Sequence, residues 1–471
     1  MAFPPTTSSP PGRGRGLLHS RPVLLVAFAF AVMADPVSSV AYAIEAALRA
    51  LDGNLSLLLA TMGLVVAVIA LVIVNYHQLV ARFPQGGGAA AAAGRAFGEP
   101  WAFIPIGALI VDFVLTIAIS VSAGASAVID YVPDLGSWRT ALALILLALV
   151  AGLTWFGHIG RAVFALMTLA FVASALAVLA GALHAPVAHT GTVSHHSAHV
   201  ASIAVVLAFP VAMALATGVE APSSAIAQLA QLDDAGRRRF GRVTLWLTLA
   251  IVGTLTLGLT AAAVHLKVGI PGANSTQIGD LAHAATGSGV YAFFQLSTAL
   301  LLLSAASSSF QAGPGLLKAL ARYELPGGAS RGILAGFLGR TNRHHTPYWA
   351  VVLFLAVSAA VTVGAAGHEQ TLVLYYAVSV FMSFLAGLVA MATFAWRERG
   401  LGSVLLNGLG ALVVAFTLAV NLGRGEPIAS LAAAVILAGV LYAFWRRAGR
   451  PRGIAEVVSE AEHLSEEPQA G

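Results

Sequence analysis

Three acidic residues fall inside segments that are otherwise apolar. Asp35, Asp112 and Glu220 each interrupt a run long enough to cross a bilayer. A carboxylate at the bilayer centre costs about 2.5–3.5 kcal/mol on insertion scales, so such a residue is usually kept for a function. No Lys or Arg lies deep within these segments. A membrane core whose ionisable groups are all negative is suited to cations or protons, and the sequence therefore predicts a cation site.

Hydroxyl-bearing residues accompany these carboxylates. Asp112, Thr116 and Ser120 are spaced four residues apart, so one face of a helix presents a carboxylate and two hydroxyls. Other polar residues of the apolar segments supply further oxygen atoms: Tyr42, Thr217 and Tyr376. Carboxylate, hydroxyl and carbonyl oxygens suit alkali cations. Imidazole and thiolate, which transition metals prefer, are missing from the core of these segments.

Two of the carboxylates lie beside a proline and a pair of serines. The first segment reads Asp35-Pro36-Val37-Ser38-Ser39, and the sixth reads Glu220-Ala221-Pro222-Ser223-Ser224. Proline has no N–H to donate to the preceding turn, so we expect a helix break at each place. The two places are five segments apart, and an odd number inverts the second relative to the first. Matching interrupted helices in inverted halves are typical of the central site of a secondary transporter.

The composition is that of a polytopic membrane protein. Hydrophobic residues make up 58% of the chain, charged residues only 10%, and the mean hydropathy is +0.86. A soluble domain carries about 25% charged residues. Twelve segments of bilayer-spanning length predict an all-α membrane protein, at residues 22–49, 55–79, 100–127, 140–156, 161–183, 201–230, 243–265, 289–314, 348–367, 371–395, 402–421 and 428–445.

The basic residues predict the orientation. With the N-terminus inside, 21 of the 25 Lys and Arg residues fall in the inner loops. We therefore expect a multi-pass protein of the plasma membrane with both termini cytoplasmic. The pI of 9.7 is explained by this asymmetry, and no nucleic-acid partner is expected. Near the C-terminus, acidic residues predict a disordered end: Glu456, Glu460, Glu462, Glu466 and Glu467.

Five stretches carry a resemblance to a known superfamily: Asp35–Glu45, Phe83–Gly88, Val111–Gly124, Thr217–Ser224 and Leu374–Phe384. They resemble the amino acid–polyamine–organocation superfamily, and within it the KimA-type potassium/proton symporters. The resemblance implies a LeuT-like fold of twelve transmembrane helices, with a five-plus-five inverted repeat and broken helices 1 and 6. The implied organisation is a tail at 1–20, a transport domain at 21–446 with repeats at about 22–183 and 201–395, extra helices at 402–445, and a cytoplasmic tail at 447–471.

The resemblance also implies the roles of the polar residues. It places the potassium site at Asp35, Tyr42, Asp112, Thr116, Ser120, Thr217, Glu220 and Tyr376. Among these we assign proton coupling to Glu220, which lies in the opposite half from Asp35 and Asp112. The predicted function is potassium uptake coupled to protons across the lipid bilayer, without a cofactor. A homodimer is a candidate assembly.

Three other functions fit these residues less well. An amino acid or amine permease would use the same scaffold, but a substrate carboxylate would favour a neutral residue at the first break. Asp35 disfavours an anionic group there and is compatible with a cationic amine. A transport-inactive sensor would leave the core carboxylates without a task. A membrane enzyme is disfavoured because no nucleophile or metal-ligand set is visible, and the chain has no cysteine.

Overall fold

The structure is a computed structural model that describes residues 21–157, 160–194, 199–229, 231–321 and 332–464. Within these ranges the chain is helical, and β pairing is limited to one isolated antiparallel bridge between Thr192 and Ile270. The predicted N-terminal tail lies outside the described residues.

Short helices and turns connect long apolar helices along the whole described chain. The first ten α-helices are α1 (Arg21–Val32), α2 (Ala34–Ser38), α3 (Val40–Ala50), α4 (Leu55–Arg82), α5 (Gly88–Phe97), α6 (Phe103–Tyr131), α7 (Arg139–Trp155), α8 (Arg161–Ala182), α9 (Ala201–Ala212) and α10 (Ala221–Ala225). The next eight are α11 (Asp234–Leu266), α12 (Gln277–Ala285), α13 (Ser288–Ala321), α14 (Tyr348–Gly364), α15 (Glu369–Arg397), α16 (Leu401–Leu422), α17 (Ile428–Arg447) and α18 (Val457–Leu464). The described 3-10 helices are Glu99–Ala102, Pro133–Trp138, Met213–Ala216, Ile226–Gln228, Gly336–Gly339 and Ile454–Glu456.

Ten helical stretches in the described part of the chain are long and apolar enough to cross a membrane. They coincide with ten of the twelve predicted segments, and the all-helical membrane architecture is confirmed. The first and ninth predicted segments contain shorter apolar helices, Val23–Val32 and Tyr348–Gly364. The count of twelve spans therefore stays a prediction.

The first predicted break is an irregularity within a helical path. Turns at Met33 and Ser39 separate α1, α2 and α3, and Asp35 itself lies in α2. Pro36 cannot donate a hydrogen bond to Val32, which accounts for the interruption. Met33 and Ser39 both keep right-handed helical angles, so the chain is loosened here and not unwound.

The second predicted break is a true unwinding. After α9 the chain tightens into the 3-10 helix Met213–Ala216, and Thr217 is then extended, with φ −52° and ψ 133°. Gly218 follows in the left-handed region at φ +68°, which glycine adopts without a steric penalty. Pro222 lies in the first turn of α10, where its missing N–H is harmless.

The interior is organised around α6, the helix that carries Asp112. It packs against α13, α15 and α17, while α4 packs on α11 and α16 on α15. The short helix α2 packs against α13. This arrangement places the irregular first segment and the third segment around the same interior space.

The two ends of the bundle carry different loops. At one end Arg82 pairs with Glu398 and Arg95 with Glu456, each at 2.6 Å. At the other end Arg139 donates to the carbonyl of Ala273 at 2.6 Å. We call the first end the inner face and the second the outer face. That the inner face is cytoplasmic stays a prediction.

The prediction of a disordered acidic C-terminal end is wrong for residues 454–464. A 3-10 helix and α18 pack there on α5, α10 and α13. The prediction was based on the glutamates alone. The residues between them form an amphipathic pattern that favours a packed helix. The apolar residues are buried at helical spacing: Ile454, Val457, Val458 and Ala461. Residues 465–471 lie outside the described part of the chain.

Candidate cation site

The two interrupted segments touch each other at their irregular turns. A Cβ atom added to Gly218 would lie 2.6 Å from Oδ2 of Asp35. Only glycine allows this approach, because the position combines a positive φ with no room for a side chain. The carboxyl group of the first segment is therefore set directly against the unwound turn of the sixth.

The three membrane carboxylates share one cavity. Asp35, Asp112 and Glu220 line a space of about 340 Å³ that runs toward the inner face, where Gln228 and Val458 also line it. Among the described residues that line this space there is no Lys, Arg or His. The cavity therefore holds three acidic groups without a fixed positive partner in its described wall.

Asp35 is the acidic group with the poorest set of partners. Its Oδ1 atom is buried and accepts no hydrogen bond from the described residues. The hydroxyls of Ser38 and Ser39 donate to the backbone carbonyl of Asp35 and not to its carboxylate, at 2.7 and 3.3 Å. A buried acceptor left unsatisfied costs about 1–3 kcal/mol, and more when it is charged. This oxygen calls for a mobile cation or a proton as its partner.

Asp112 faces a polar stripe on α15. The hydroxyl of Ser379 donates to Oδ1 of Asp112 at 3.1 Å. One turn further along α6, Thr116 donates to the hydroxyl of Tyr376 at 3.2 Å. Ser120 is buried one turn beyond Thr116. The predicted face of the third segment is thus buried, and two of its three polar residues contact α15.

Tyr42 and Thr217 lie beyond the carboxylates. The hydroxyl oxygen of Tyr42 is 3.0 Å from that of Ser39, and Thr217 lies beside it. The Thr217 hydroxyl donates to the carbonyl of Ala214 at 2.6 Å, and this carbonyl also accepts the backbone N–H of Thr217 at 3.3 Å. Tyr42 also lines a small second cavity together with Glu45. It therefore lies between the carboxylates and the outer face.

Glu220 is held by two hydroxyl groups that the sequence did not predict. Its Oε2 atom accepts hydrogen bonds from Tyr76 at 2.9 Å and from Ser383 at 2.5 Å. Ser379 and Ser383 follow Tyr376 by three and seven residues, so the helical period would have placed all three on one face. Tyr76 lies in a strongly apolar helix, where no local pattern singles it out.

Carboxylates also fasten the outer side of the bundle. Glu45 accepts from the backbone N–H of Gln277 at 3.0 Å, and Asp130 accepts from both the N–H and the hydroxyl of Thr276, at 3.0 and 2.7 Å. The start of α12 is thereby tied to α3 and α6. These contacts close the outer side over Tyr42, while the cavity that holds the three carboxylates lies toward the inner face.

The structure therefore sorts the predicted site residues into two groups. The residues that line the cavity of about 340 Å³ are Asp35, Asp112 and Glu220. The residues buried in the adjoining interior are Tyr42, Thr116, Ser120, Thr217 and Tyr376.

Comparison with known proteins decides the family. The sequence model of a family described as amino acid permease matches residues 24–445. The chain belongs to this family. The permease is accordingly a multi-pass membrane transporter, and its predicted membership of the amino acid–polyamine–organocation superfamily is confirmed.

One relative of the permease is the potassium transporter KimA of Bacillus subtilis strain 168. The two are 28% identical over 369 residues, which is 73% of this chain and 56% of KimA. The chain thus spans little more than half the length of that relative. The predicted likeness to KimA-type proteins is confirmed.

Proposed function

We propose that this permease is a secondary active transporter that carries K⁺ together with a proton across the plasma membrane. The observation that carries the proposal is the buried Oδ1 of Asp35, which has no described partner and lies in a cavity shared with two other acidic groups. A mobile monovalent cation would supply the missing positive charge. The name of the relative, a potassium transporter, supports K⁺ as that cation.

Two carboxylates and several hydroxyl groups would bind the ion. Asp35 and Asp112 supply charge, and neutral oxygen ligands come from Tyr42, Thr116, Ser120, Thr217 and Tyr376. These are hard oxygen donors, the class that replaces the hydration shell of an alkali cation. The Thr116 hydroxyl donates a hydrogen bond to the hydroxyl of Tyr376. Both O–H groups can rotate so that their oxygen lone pairs face an ion.

Glu220 would carry the proton. Its Oε2 is shared by the hydroxyls of Tyr76 and Ser383, and a hydroxyl both donates and accepts hydrogen bonds. The carboxyl group can therefore gain or lose a proton while the same two neighbours hold it in place. The described residues give Asp35 no such pair of hydroxyl donors, so we assign Asp35 to binding of the ion instead.

The contact between the two interrupted segments supports a LeuT-like inverted repeat. In such folds the site lies between broken helices, and one bundle rocks against the other around it. The contact of Gly218 with Asp35 brings the two interrupted segments together, which is consistent with this arrangement. The proposed repeats are 22–183 and 201–395.

Such a symporter needs no nucleotide. One K⁺ and one H⁺ move two charges inward, which gains about 4.6 kcal/mol per 100 mV of membrane potential. Each unit of pH gradient adds about 1.4 kcal/mol. Since 1.4 kcal/mol is about a tenfold ratio, the voltage alone supports an accumulation of about 10³-fold per 100 mV.

The family description favours a second candidate, transport of an amino acid or amine. An amino acid needs free backbone N–H groups at a helix start for its carboxylate. At the unwound turn, the N–H groups of Ala221 and Ser223 already donate to the carbonyls of Gly218 and Glu220. The first turn of α2 holds Asp35 itself. The geometry therefore disfavours an anionic group and leaves a cationic amine as the alternative.

Growth of a bacterial strain that lacks potassium uptake tests the proposal. In low-K⁺ medium we expect rescue by the wild-type permease and at least a tenfold loss of K⁺ uptake in Asp35→Asn and Asp112→Asn. Asp52→Asn is the matched control, because Asp52 is exposed in an outer turn at φ +54°, which asparagine tolerates. Equal rescue by all variants, at equal membrane levels, would rule out the site. No rescue by the wild type, together with amine counterflow, would support the alternative.

A further inference from the structure

The chain returns to the candidate site after its last membrane helix. Residues 451–464, here called the C-terminal strap, follow α17 along the inner face and end in α18. Val458 and Ala461 of α18 line the same cavity as Asp35 and Asp112. The strap therefore forms part of the cavity wall on the side of the inner face.

One end of the strap is anchored by polar contacts. The carboxylate of Glu99 accepts the backbone N–H groups of Gly453 and Ala455, at 2.7 and 3.1 Å. Arg95 pairs with Glu456 at 2.6 Å. These contacts fix the start of the strap to α5 and to the turn between α5 and α6.

Small residues let the strap pack closely against the bundle. A Cβ atom added to Gly94 in α5 would lie 2.5 Å from the Cβ of Ala455, and one added to Gly315 in α13 would lie 3.7 Å from the carbonyl oxygen of Ala461. Ile454 and Val457 are fully buried. The strap is thus partly buried and packed against α5 and α13.

The other end of the strap spans two parts of the cavity mouth. On one side α18 contacts α13, and on the other it contacts α10 and the 3-10 helix Ile226–Gln228. The helix α10 follows the unwound turn at Gly218, which separates it from α9. A helix that touches both sides must give way before α10 can move away from α13.

We propose that α18 is an inner gate of the transporter, hinged at the contacts with Glu99 and Arg95. While α18 is seated it braces α10 against α13, and it must lift from them for the cargo to leave toward the inner face. The proposal rests on the transport function proposed above, but it does not depend on which cargo is carried.

Reversible cross-linking tests the gate directly, because the chain has no native cysteine. In the pair Gly315→Cys with Ala461→Cys, a short bis-methanethiosulfonate reagent ties α18 to α13. We expect uptake to fall at least tenfold in the cross-linked protein and to return after reduction. The control pair, Arg95→Cys with Glu456→Cys, ties only the hinge, and we expect cross-linking to change the uptake of this pair by less than twofold relative to the same pair after reduction.

Labelling of the cavity gives a readout that needs no cargo. With Ser309→Cys as the reporter in the cavity wall, Gly94→Leu should displace Ala455 and raise the labelling rate by a charged maleimide at least fivefold. Gly63→Leu is the control, because nothing lies within 4 Å of a Cβ atom at Gly63. Unchanged labelling in Gly94→Leu, or uptake that continues with α18 fully cross-linked, would overturn the gate. If K⁺ is not the cargo, the growth test fails while the labelling difference remains.

Discussion

Two carboxylates with the same sequence signature have different surroundings. Asp35 has an oxygen without a described partner, whereas Glu220 is held by the hydroxyls of Tyr76 and Ser383. The sequence singled out both residues, because a carboxylate beside a proline in an apolar segment is rare. It could not separate their environments, since Tyr76 and Ser383 come from segments far away along the chain.

Gly218 is expected to tolerate no side chain. In Gly218→Ala, the added Cβ would lie 2.6 Å from the Asp35 carboxylate, and the left-handed backbone costs a non-glycine residue about 1–2 kcal/mol. We expect a lower unfolding midpoint in detergent and at least a tenfold loss of K⁺ uptake.

Gly63→Ala is the matched control for this substitution. Gly63 lies inside α4 with open space around it, and alanine is favoured over glycine in a helix by about 1 kcal/mol. Its unfolding midpoint should stay the same or rise. Wild-type transport and stability in Gly218→Ala would contradict the close packing of the two interruptions.

At the scale of elements, the prolines predicted where helices are interrupted but not how. Pro36 only loosens its segment, because no neighbouring residue favours a left-handed turn. The sixth segment unwinds because Gly218 adopts a positive φ beside an extended Thr217. The apolar spacing of residues 454–461 is also sufficient to predict the helix α18. The glutamates between those apolar positions favoured disorder instead, which is why the prediction was wrong.

The outer helix α12 should respond to pH through Asp280. Burial, and then the nearby charge of Asp130, raise the pKa of Asp280 from 3.8 to about 6. Because the folded protein favours the protonated acid, this stabilisation of α12 is complete below pH 3.8 and is lost as the pH rises through about 6. Hydrogen exchange of α12 amides, corrected for intrinsic rates, should therefore become faster between about pH 4 and 7, by less than tenfold because Asp280 is partly exposed.

Asp280→Asn is the control for this pH response, since it keeps the shape and removes the titration. His283 also faces Asp280 and remains in the variant. A corrected exchange rate that changes with pH equally in both proteins would assign the effect to His283 or another group.

At the scale of the whole molecule, hydropathy predicted the membrane helices and their order. It could not predict which helices pack together, for example that α6 meets α13, α15 and α17. The contact between Gly218 and Asp35 also lies beyond any local pattern. The paired prolines predicted an inverted repeat with an interruption at the central site in each half, but not this contact. The family resemblance, more than the spacing, supplied Tyr42 and Tyr376.

Proton movement driven by potassium tests the central claim most directly. The purified permease would be reconstituted into liposomes that contain a pH indicator, and potassium thiocyanate would be added outside so that the permeant anion dissipates the voltage. We expect the interior to acidify with potassium but not with sodium thiocyanate, and Glu220→Gln to lose at least nine-tenths of this acidification. An interior that stays at constant pH with potassium, but acidifies when an amine or amino acid is added, would contradict potassium–proton symport.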